Sequence, residues 1–216
     1  WAALHNCRGS LPESLTVAVY NRLERSKRLI GRHVSRYLAP SDFTRAWLAE
    51  HAGIAPERIA TLSPIVEIPA VAADPLHGRY VAFAGRFAPE KGIETLVEAA
   101  RVAGVPLRLS RHEASLVRTR VPPGVEVILT RSPSELASFY RGARMLVVPS
   151  IGLETFGLVG AEAMSHGIPV IASRRGALAE LVEDGVDGLS FEPGSAQDLA
   201  RKISRLWADD PLCLRL

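Results

Sequence analysis

The chain has 216 residues, 47% hydrophobic and 23% charged, with 26 lysines and arginines against 23 aspartates and glutamates. That length holds one full α/β domain and part of another, with a real apolar core. The net charge of +3 is too small to imply nucleic acid, and no apolar run approaches the roughly 18 residues of a membrane span.

Cys7 and Cys213 stand without metal or redox spacing, which fits a reducing cytosol and argues against a disulfide framework. The chain begins with Trp1, so it reads as a piece of a longer protein, and a missing signal peptide excludes nothing.

Ala2-Ala3-Leu4 reads as the tail of a strand, with His5-Asn6-Cys7-Arg8 at its end. His beside Cys and Asn admits a thiol-nucleophile reading, although such trios are assembled in space; a hydrogen-bonded loop histidine is the other reading. Leu15 to Ile30 predicts a helix with apolar Val19, Leu23 and Ile30. Arg22, Arg25, Lys27, Arg28, Arg32 and Arg36 make this region basic. It is either a solvated face or a surface attracted to anionic lipid headgroups or a phosphorylated lipid acceptor.

Val34 to Pro40 predicts a strand. Ser41-Asp42 supply a cap and a first-turn acid for a helix over Phe43 to His51, which Gly53 ends, and Arg58 to Leu62 predicts another strand. Ser63 to Gly78, with Pro64, Pro69 and Pro75, reads as a semi-rigid linker. The domain division is therefore 1–62, a linker at 63–78, and 79–216.

From Arg79 strands and helices alternate. A strand over Tyr80 to Ala84 is followed by Gly85-Arg86-Phe87-Ala88-Pro89-Glu90-Lys91-Gly92 and a helix over Ile93 to Ala103. Arg86 and Lys91 flank this strand-to-helix turn, as solvated loop charges or as an anion site at a helix N-terminus. Further strands are predicted at Pro106 to Ser110 and Val125 to Leu129, with a helix over Ser134 to Tyr140. The stretch Met145 to Ser173 reads as one βαβ unit: a buried strand to Val148, a loop over Ile151 to Thr155, a small-residue helix from Phe156 to Gly167, and a strand from Pro169. The loop lies at the carboxyl end of its strand, the edge at which open α/β sheets bind ligands.

Glu154 in that loop and Glu162 in the helix are separated by seven residues. A carboxylate in so apolar a helix either faces water or needs hydrogen-bond donors, and sugar hydroxyls are such donors. The amides of Phe156, Gly157 and Leu158 form a helix N-terminus suited to phosphate. Structurally, Glu154 could equally be a first-turn dipole residue and Glu162 a solvated one. After this unit a short helix at Leu178 to Val182, turns at Asp184-Gly185 and Asp187-Gly188, a strand at Leu189 to Phe191 and a helix from Ser195 are predicted. The aspartates lack a calcium-loop pattern and read as turn residues.

Pro149-Ser-x-x-x-Glu-x-Phe-Gly-Leu-Val-x-x-Glu-Ala-Met-x-x-Gly-x-Pro-Val-Ile-Ala-Ser173 resembles the donor-sugar segment of retaining glycosyltransferases of family 4, of GT-B architecture. Gly-Arg-x-x-x-Glu-Lys-Gly at Gly85 to Gly92 resembles that family's diphosphate-binding turn. The resemblance implies a Rossmann-like parallel-sheet domain, the C-terminal half of a GT-B fold, preceded by a partial second α/β domain. It gives Arg86 and Lys91 the diphosphate, Glu154 the sugar hydroxyls, Phe156, Gly157, Leu158 and Val159 backbone contacts to sugar and phosphate, and Glu162 the ribose. His5 resembles a strand-end histidine facing donor and acceptor, and Arg131 to Pro133 fall where the base is contacted. Two departures stand out: Ser63-Pro64 where relatives have Pro-Asn, and Ser110-Arg111-His112-Glu113 where many have Gly-x-Gly.

The function so implied is transfer of a sugar from a UDP- or GDP-sugar or related donor to a hydroxyl acceptor, polysaccharide, lipid-linked or small, with retention. No metal or other cofactor is expected, because cations and a helix N-terminus take that place. The expected setting is the cytoplasm, with peripheral contact at the inner face of an anionic membrane and no nucleic-acid partner. A nicotinamide oxidoreductase would need Gly-x-Gly-x-x-Gly after the first strand, and Gly85-Arg86-Phe87 does not supply it. A non-catalytic sugar-nucleotide-binding subunit remains the alternative. As a piece of such an enzyme, the chain is expected to bind donor without transferring sugar.

Overall fold

The computed structural model describes residues 11–27, 33–111 and 125–216. His5, Cys7 and the loop from His112 onward, including Glu113, lie outside the described residues. The chain divides into two compact units, Trp1–Ala39 with Arg45–Thr61, and Pro40–Thr44 with Leu62–Leu216.

The first unit holds α1 (Leu11–Lys27), β1 (Tyr37–Ala39), most of α2 (Asp42–His51) and β2 (Ile59–Thr61). β1 and β2 pair in parallel, Tyr37 opposite Ile59. The strand expected over Val34 to Pro40 shrinks to three residues because the Arg58 guanidinium takes the carbonyls of Val34 and Ser35, leaving them outside the ladder. Arg58 itself closes the short 3-10 turn Pro56–Arg58, so the second strand starts one residue later than expected. Along α1, Leu15, Val19 and Leu23 are exposed. Ser41 caps α2 as expected, its hydroxyl accepting the Thr44 amide at 3.0 Å.

The second unit is a six-stranded parallel sheet with strands β3 (Tyr80–Ala84), β4 (Leu107–Arg111), β5 (Glu126–Leu129), β6 (Ala143–Val148), β7 (Val170–Ser173) and β8 (Leu189–Phe191), in spatial order β5-β4-β3-β6-β7-β8. The chain winds outward from β3 to one edge, returns, and starts again at β6 on the other side of β3. A crevice opens at that reversal, beyond the carboxyl ends of the strands. The intervening helices are α3 (Ile93–Ala103), α4 (Pro133–Arg141), α5 (Leu158–Ser165), α6 (Leu178–Leu181), α7 (Ala196–Ala208) and α8 (Asp210–Arg215).

Alternation along each strand builds two cores. Val81 and Phe83 of β3, with Met145 and Val147 of β6, pack against Leu96 and Ala99 of α3 and Leu199, Ile203 and Leu206 of α7. Tyr80, Ala82 and Ala84, with Leu146 and Val148, pack against Phe139 and Tyr140 of α4, Ala163 of α5 and Leu178 of α6. A parallel sheet covered on both faces needs this continuous apolarity.

Several bounds in this unit differ from the sequence reading by one or two residues, and two of the differences have a visible cause. β6 begins two residues before Met145, with buried Arg144 ion-paired to Asp210 and its guanidinium 5.9 Å from the Trp207 ring centroid. The helix after the central loop begins at Leu158 and not at Phe156, because Gly157 precedes it with φ of +95°. A side chain on Gly157 would meet the Leu178 Cδ2 at 2.6 Å. The proline-bearing stretch after Thr61 runs along the second unit, where the Ala73 amide donates to the His166 carbonyl at 2.7 Å.

Candidate functional site

The site begins where β3 ends. The Gly85 amide donates to the Ser110 carbonyl at 3.1 Å, tying the first loop to β4. The chain then makes a 3-10 turn over Pro89–Lys91 and enters α3 through Gly92, whose φ is +67°. A Cβ on Gly92 would lie 2.0 Å from the Pro149 carbonyl oxygen, so only glycine permits this approach of two loops. The Glu90 carbonyl receives the amides of both Ile151 and Gly152 at 3.0 Å. The turn carrying Arg86 and Lys91 and the loop carrying Glu154 are thus one hydrogen-bonded body.

Within it the two expected cations part company. Lys91 is ion-paired to Glu154 Oε1, with side chains only 23% and 17% exposed. The Ser150 hydroxyl donates to the same oxygen at 2.6 Å, and Ser173 in turn donates to the Ser150 carbonyl at 2.6 Å. The Glu154 backbone is held from the far side. Its carbonyl accepts the Ala177 amide at 3.0 Å, and Gly176, with φ of +63°, lies so close that a Cβ would meet that carbonyl oxygen at 2.6 Å. Ser41 and Thr44, in the same unit, donate hydroxyls to the Thr155 carbonyl at 2.7 and 2.9 Å. The loop is therefore fixed before any ligand arrives. The amides of Leu158 and Val159 precede the first intrahelical bond, from the Gly160 amide to the Gly157 carbonyl at 2.8 Å, and constitute the anion-favouring end of α5.

Arg86 points elsewhere. It makes an exposed contact to Glu90 at 3.3 Å and lines a cavity of about 450 Å³ at the carboxyl ends of β3, β4 and β5. Arg131, Ser132 and Pro133 form one side, Leu136 and Val159 contribute apolar surface, and Tyr140 and Glu162 stand together on the helical side. Ser110 and Thr130, both buried, face each other in the lining with hydroxyls 2.8 Å apart. The Glu135 amide donates to the Ser132 hydroxyl, which caps α4, and the Glu135 carboxylate accepts the Arg131 amide at 2.6 Å, which fixes the base of that wall.

Of the residues singled out in the sequence, Arg86, Arg131, Val159 and Glu162 line this cavity. Lys91 and Glu154 form the adjoining loop cluster, with Phe156 and Gly157 between that cluster and Leu158 at the start of α5. His5 lies outside the described residues. Among the polar cavity residues, Thr130 and Tyr140 carried no expectation, and Ser110 was noted only as part of a departure from the family pattern. Ser110 and Thr130 each end or follow a strand, so the rule that ligands sit at carboxyl strand ends was the available signal. Among the described residues no group of three or more His, Cys, Asp and Glu is gathered, and no helix is long and apolar enough to cross a membrane.

Residues 67–216 match the family described as glycosyl transferases group 1. The chain is 32% identical over 203 residues to a D-inositol 3-phosphate glycosyltransferase of Corynebacterium glutamicum, covering 78% of this chain and 48% of that protein. It is also 32% identical over 147 residues to the lipopolysaccharide 1,2-N-acetylglucosaminetransferase of Salmonella typhimurium, covering 59% and 39%. Among solved structures, Anabaena Alr3699/HepE in complex with UDP-glucose superposes with a TM-score of 0.70 at 23% identity, over 84% of this chain and 57% of that one. Sucrose-phosphate synthase from Thermosynechococcus elongatus gives 0.69 at 26% identity, over 82% and 50%. The likenesses place the α/β architecture among GT-B folds. The chain spans about half the length, or less, of the curated relatives just named.

Proposed function

The chain belongs to the glycosyl transferases group 1 family, and on that footing we propose that it is the donor-binding part of a retaining glycosyltransferase that takes a nucleotide diphosphate-sugar. One observation carries this reading: Arg86 and Glu162, a cation and a carboxylate, line the same cavity at the carboxyl edge of the sheet, beside the fixed loop of Glu154. The cavity takes the nucleoside, with Glu162 accepting from ribose hydroxyls. Arg86, Lys91 and the amides of Leu158 and Val159 take the diphosphate, and Glu154 the hydroxyls of the sugar.

In this reading the bond from the anomeric carbon to the diphosphate oxygen breaks, and its electron pair leaves with the diphosphate. Arg86 and Lys91 stabilise that charge in a setting that needs no reorganisation. The acceptor oxygen attacks on the face the diphosphate leaves, and its proton passes to the departing phosphate, so configuration is retained. Glu154 already holds Lys91, so a sugar hydroxyl donating to Glu154 Oε2 or sharing Oε1 would sense the same cation. The relatives' names support an acceptor that is a phosphorylated polyol or a saccharide of a lipopolysaccharide, and the base of the donor is for the binding experiment to find.

Turnover of radiolabelled UDP-, GDP- and ADP-sugars by the full-length parent, with NMR assignment of the product anomer, tests the proposal. Transfer with retention is expected. Donor binding without transfer under any acceptor would make the protein a sugar-nucleotide-binding subunit, and inversion would overturn the mechanism.

A further inference from the structure

Tyr140 lies in the last turn of α4 with its ring buried, and its hydroxyl donates to Glu162 Oε2 at 3.2 Å. Both residues line the cavity. The ring is held by Phe139, 6.2 Å away between centroids, and by His166, 5.2 Å away at the end of α5. His166 closes the frame from the other side, since its ring Nδ1 lies 2.8 Å from the Glu162 carbonyl oxygen. Glu162 is thus held at its backbone by the end of its own helix and at its carboxylate by a phenol from a neighbouring helix.

That arrangement has a chemical consequence. An ionised carboxylate offers about four acceptor sites over two oxygens. The phenol occupies one on Oε2, which stops rotation of the carboxylate and leaves Oε1 and the remaining lone pairs for the cavity. Burial, and then the Glu162 charge and hydrogen bond, push the Tyr140 hydroxyl well above the usual tyrosine range, so it stays a donor across the working pH. A fixed carboxylate with only acceptor sites left selects ligands that bring two adjacent O–H donors.

We propose that Tyr140 is a positioning residue that presents Glu162 to a vicinal diol, and that it thereby supplies part of the discrimination between a ribonucleoside and a 2′-deoxyribonucleoside diphosphate. This rests on the reading of the cavity as the nucleoside site. A purely structural role for Tyr140, as one more aromatic in the core beneath the cavity, would reside in the ring and not in the hydroxyl.

Tyr140→Phe separates the two, because it removes one oxygen and keeps the ring. Titration calorimetry on the chain Trp1–Leu216 would use UDP, GDP and ADP to find the accepted base, and then that nucleotide against its 2′-deoxy form. The ribo-to-deoxy affinity ratio should fall about five- to tenfold in Tyr140→Phe, the effect of weakening one hydrogen bond of ordinary strength to the diol, with the deoxy affinity little changed. Glu162→Gln should lower the ratio at least as far, and the double variant no further, since both act through one carboxylate. An unchanged ratio in Tyr140→Phe, or equal loss of both affinities together with a lowered Tm, would overturn the proposal. Failure of the unaltered chain to bind any nucleoside diphosphate would overturn the functional reading beneath it.

Discussion

Lys91 and Glu154, 63 positions apart in the chain, are ion-paired across two loops at the carboxyl edge of the sheet. The family resemblance assigns Lys91, with Arg86, to the diphosphate and Glu154 to the sugar hydroxyls. Paired and largely shielded from water, they make a single unit in which the cation neutralises the carboxylate. Removing one partner leaves the other poorly solvated, which costs more than an exposed pair would.

A double-mutant cycle measures this coupling. Lys91→Met and Glu154→Gln should each destabilise the chain, and the pair together by less than their sum, with a coupling of about 1–2 kcal/mol, inside the range for residues in contact. Additive losses in urea unfolding would show that the contact contributes nothing.

The two glutamates should separate by ligand. Glu154→Gln should weaken binding of a nucleotide-sugar while leaving the nucleoside diphosphate alone nearly unaffected, whereas Glu162→Gln should weaken both. The basis is placement: Glu162 lines the cavity, and Glu154 sits in the loop cluster beside it. Calorimetry with UDP and UDP-glucose decides the matter; equal effects of the two variants on UDP would contradict it.

Gly92 tests the union of the two loops. Its φ of +67° and the 2.0 Å separation of a built Cβ from the Pro149 carbonyl mean that Gly92→Ala must push the loops apart. We expect a loss of about 2 kcal/mol or more of stability and a weaker nucleotide-sugar complex. Gly104→Ala is the control: it shares the φ of +67° but has nothing within 4 Å of its Cβ, so it should be the milder change.

Much of this was legible in the sequence, for physical reasons that differ by element. β3 and α3 have the bounds predicted, Tyr80–Ala84 and Ile93–Ala103, because an unbroken apolar run ends at a glycine and an amphipathic run begins after one. The first two residues of β6 escaped notice because a charged residue, Arg144, hides a strand whose charge is met by Asp210 near the end of the chain. The late start of α5 depends on the left-handed backbone of Gly157, and glycine in a sequence permits that conformation without requiring it. Ser110, Thr130 and Tyr140 reach the cavity from separate elements, so no local spacing could join them. The Lys91–Glu154 pair is likewise a product of tertiary structure.

Stability in acid should depend on Asp198. The Glu192 amide, 2.9 Å away, and then the Arg201 guanidinium hold its carboxyl below the usual aspartate range despite partial burial. A lowered folded-state pKa means a contribution fully present above the unfolded value of about 3.9 and lost as pH falls through the folded one. Asp198→Asn should therefore lower Tm at pH 7 and flatten its decline below pH 4. An acid limb parallel to that of the unaltered chain would contradict the assignment.

The central claim is that the cavity between Arg86 and Glu162 receives the nucleoside end of a nucleotide-sugar. Titration calorimetry of the purified chain against UDP-, GDP- and ADP-sugars tests it most directly. At least one donor should bind with a Kd of about 1 mM or tighter, about −4 kcal/mol or better. Arg86→Ala and Glu162→Gln should each weaken that binding by about 1.5–3 kcal/mol, the loss of a charge-assisted bond. Binding that is absent for all three donors, or equally strong in both variants, would contradict the account.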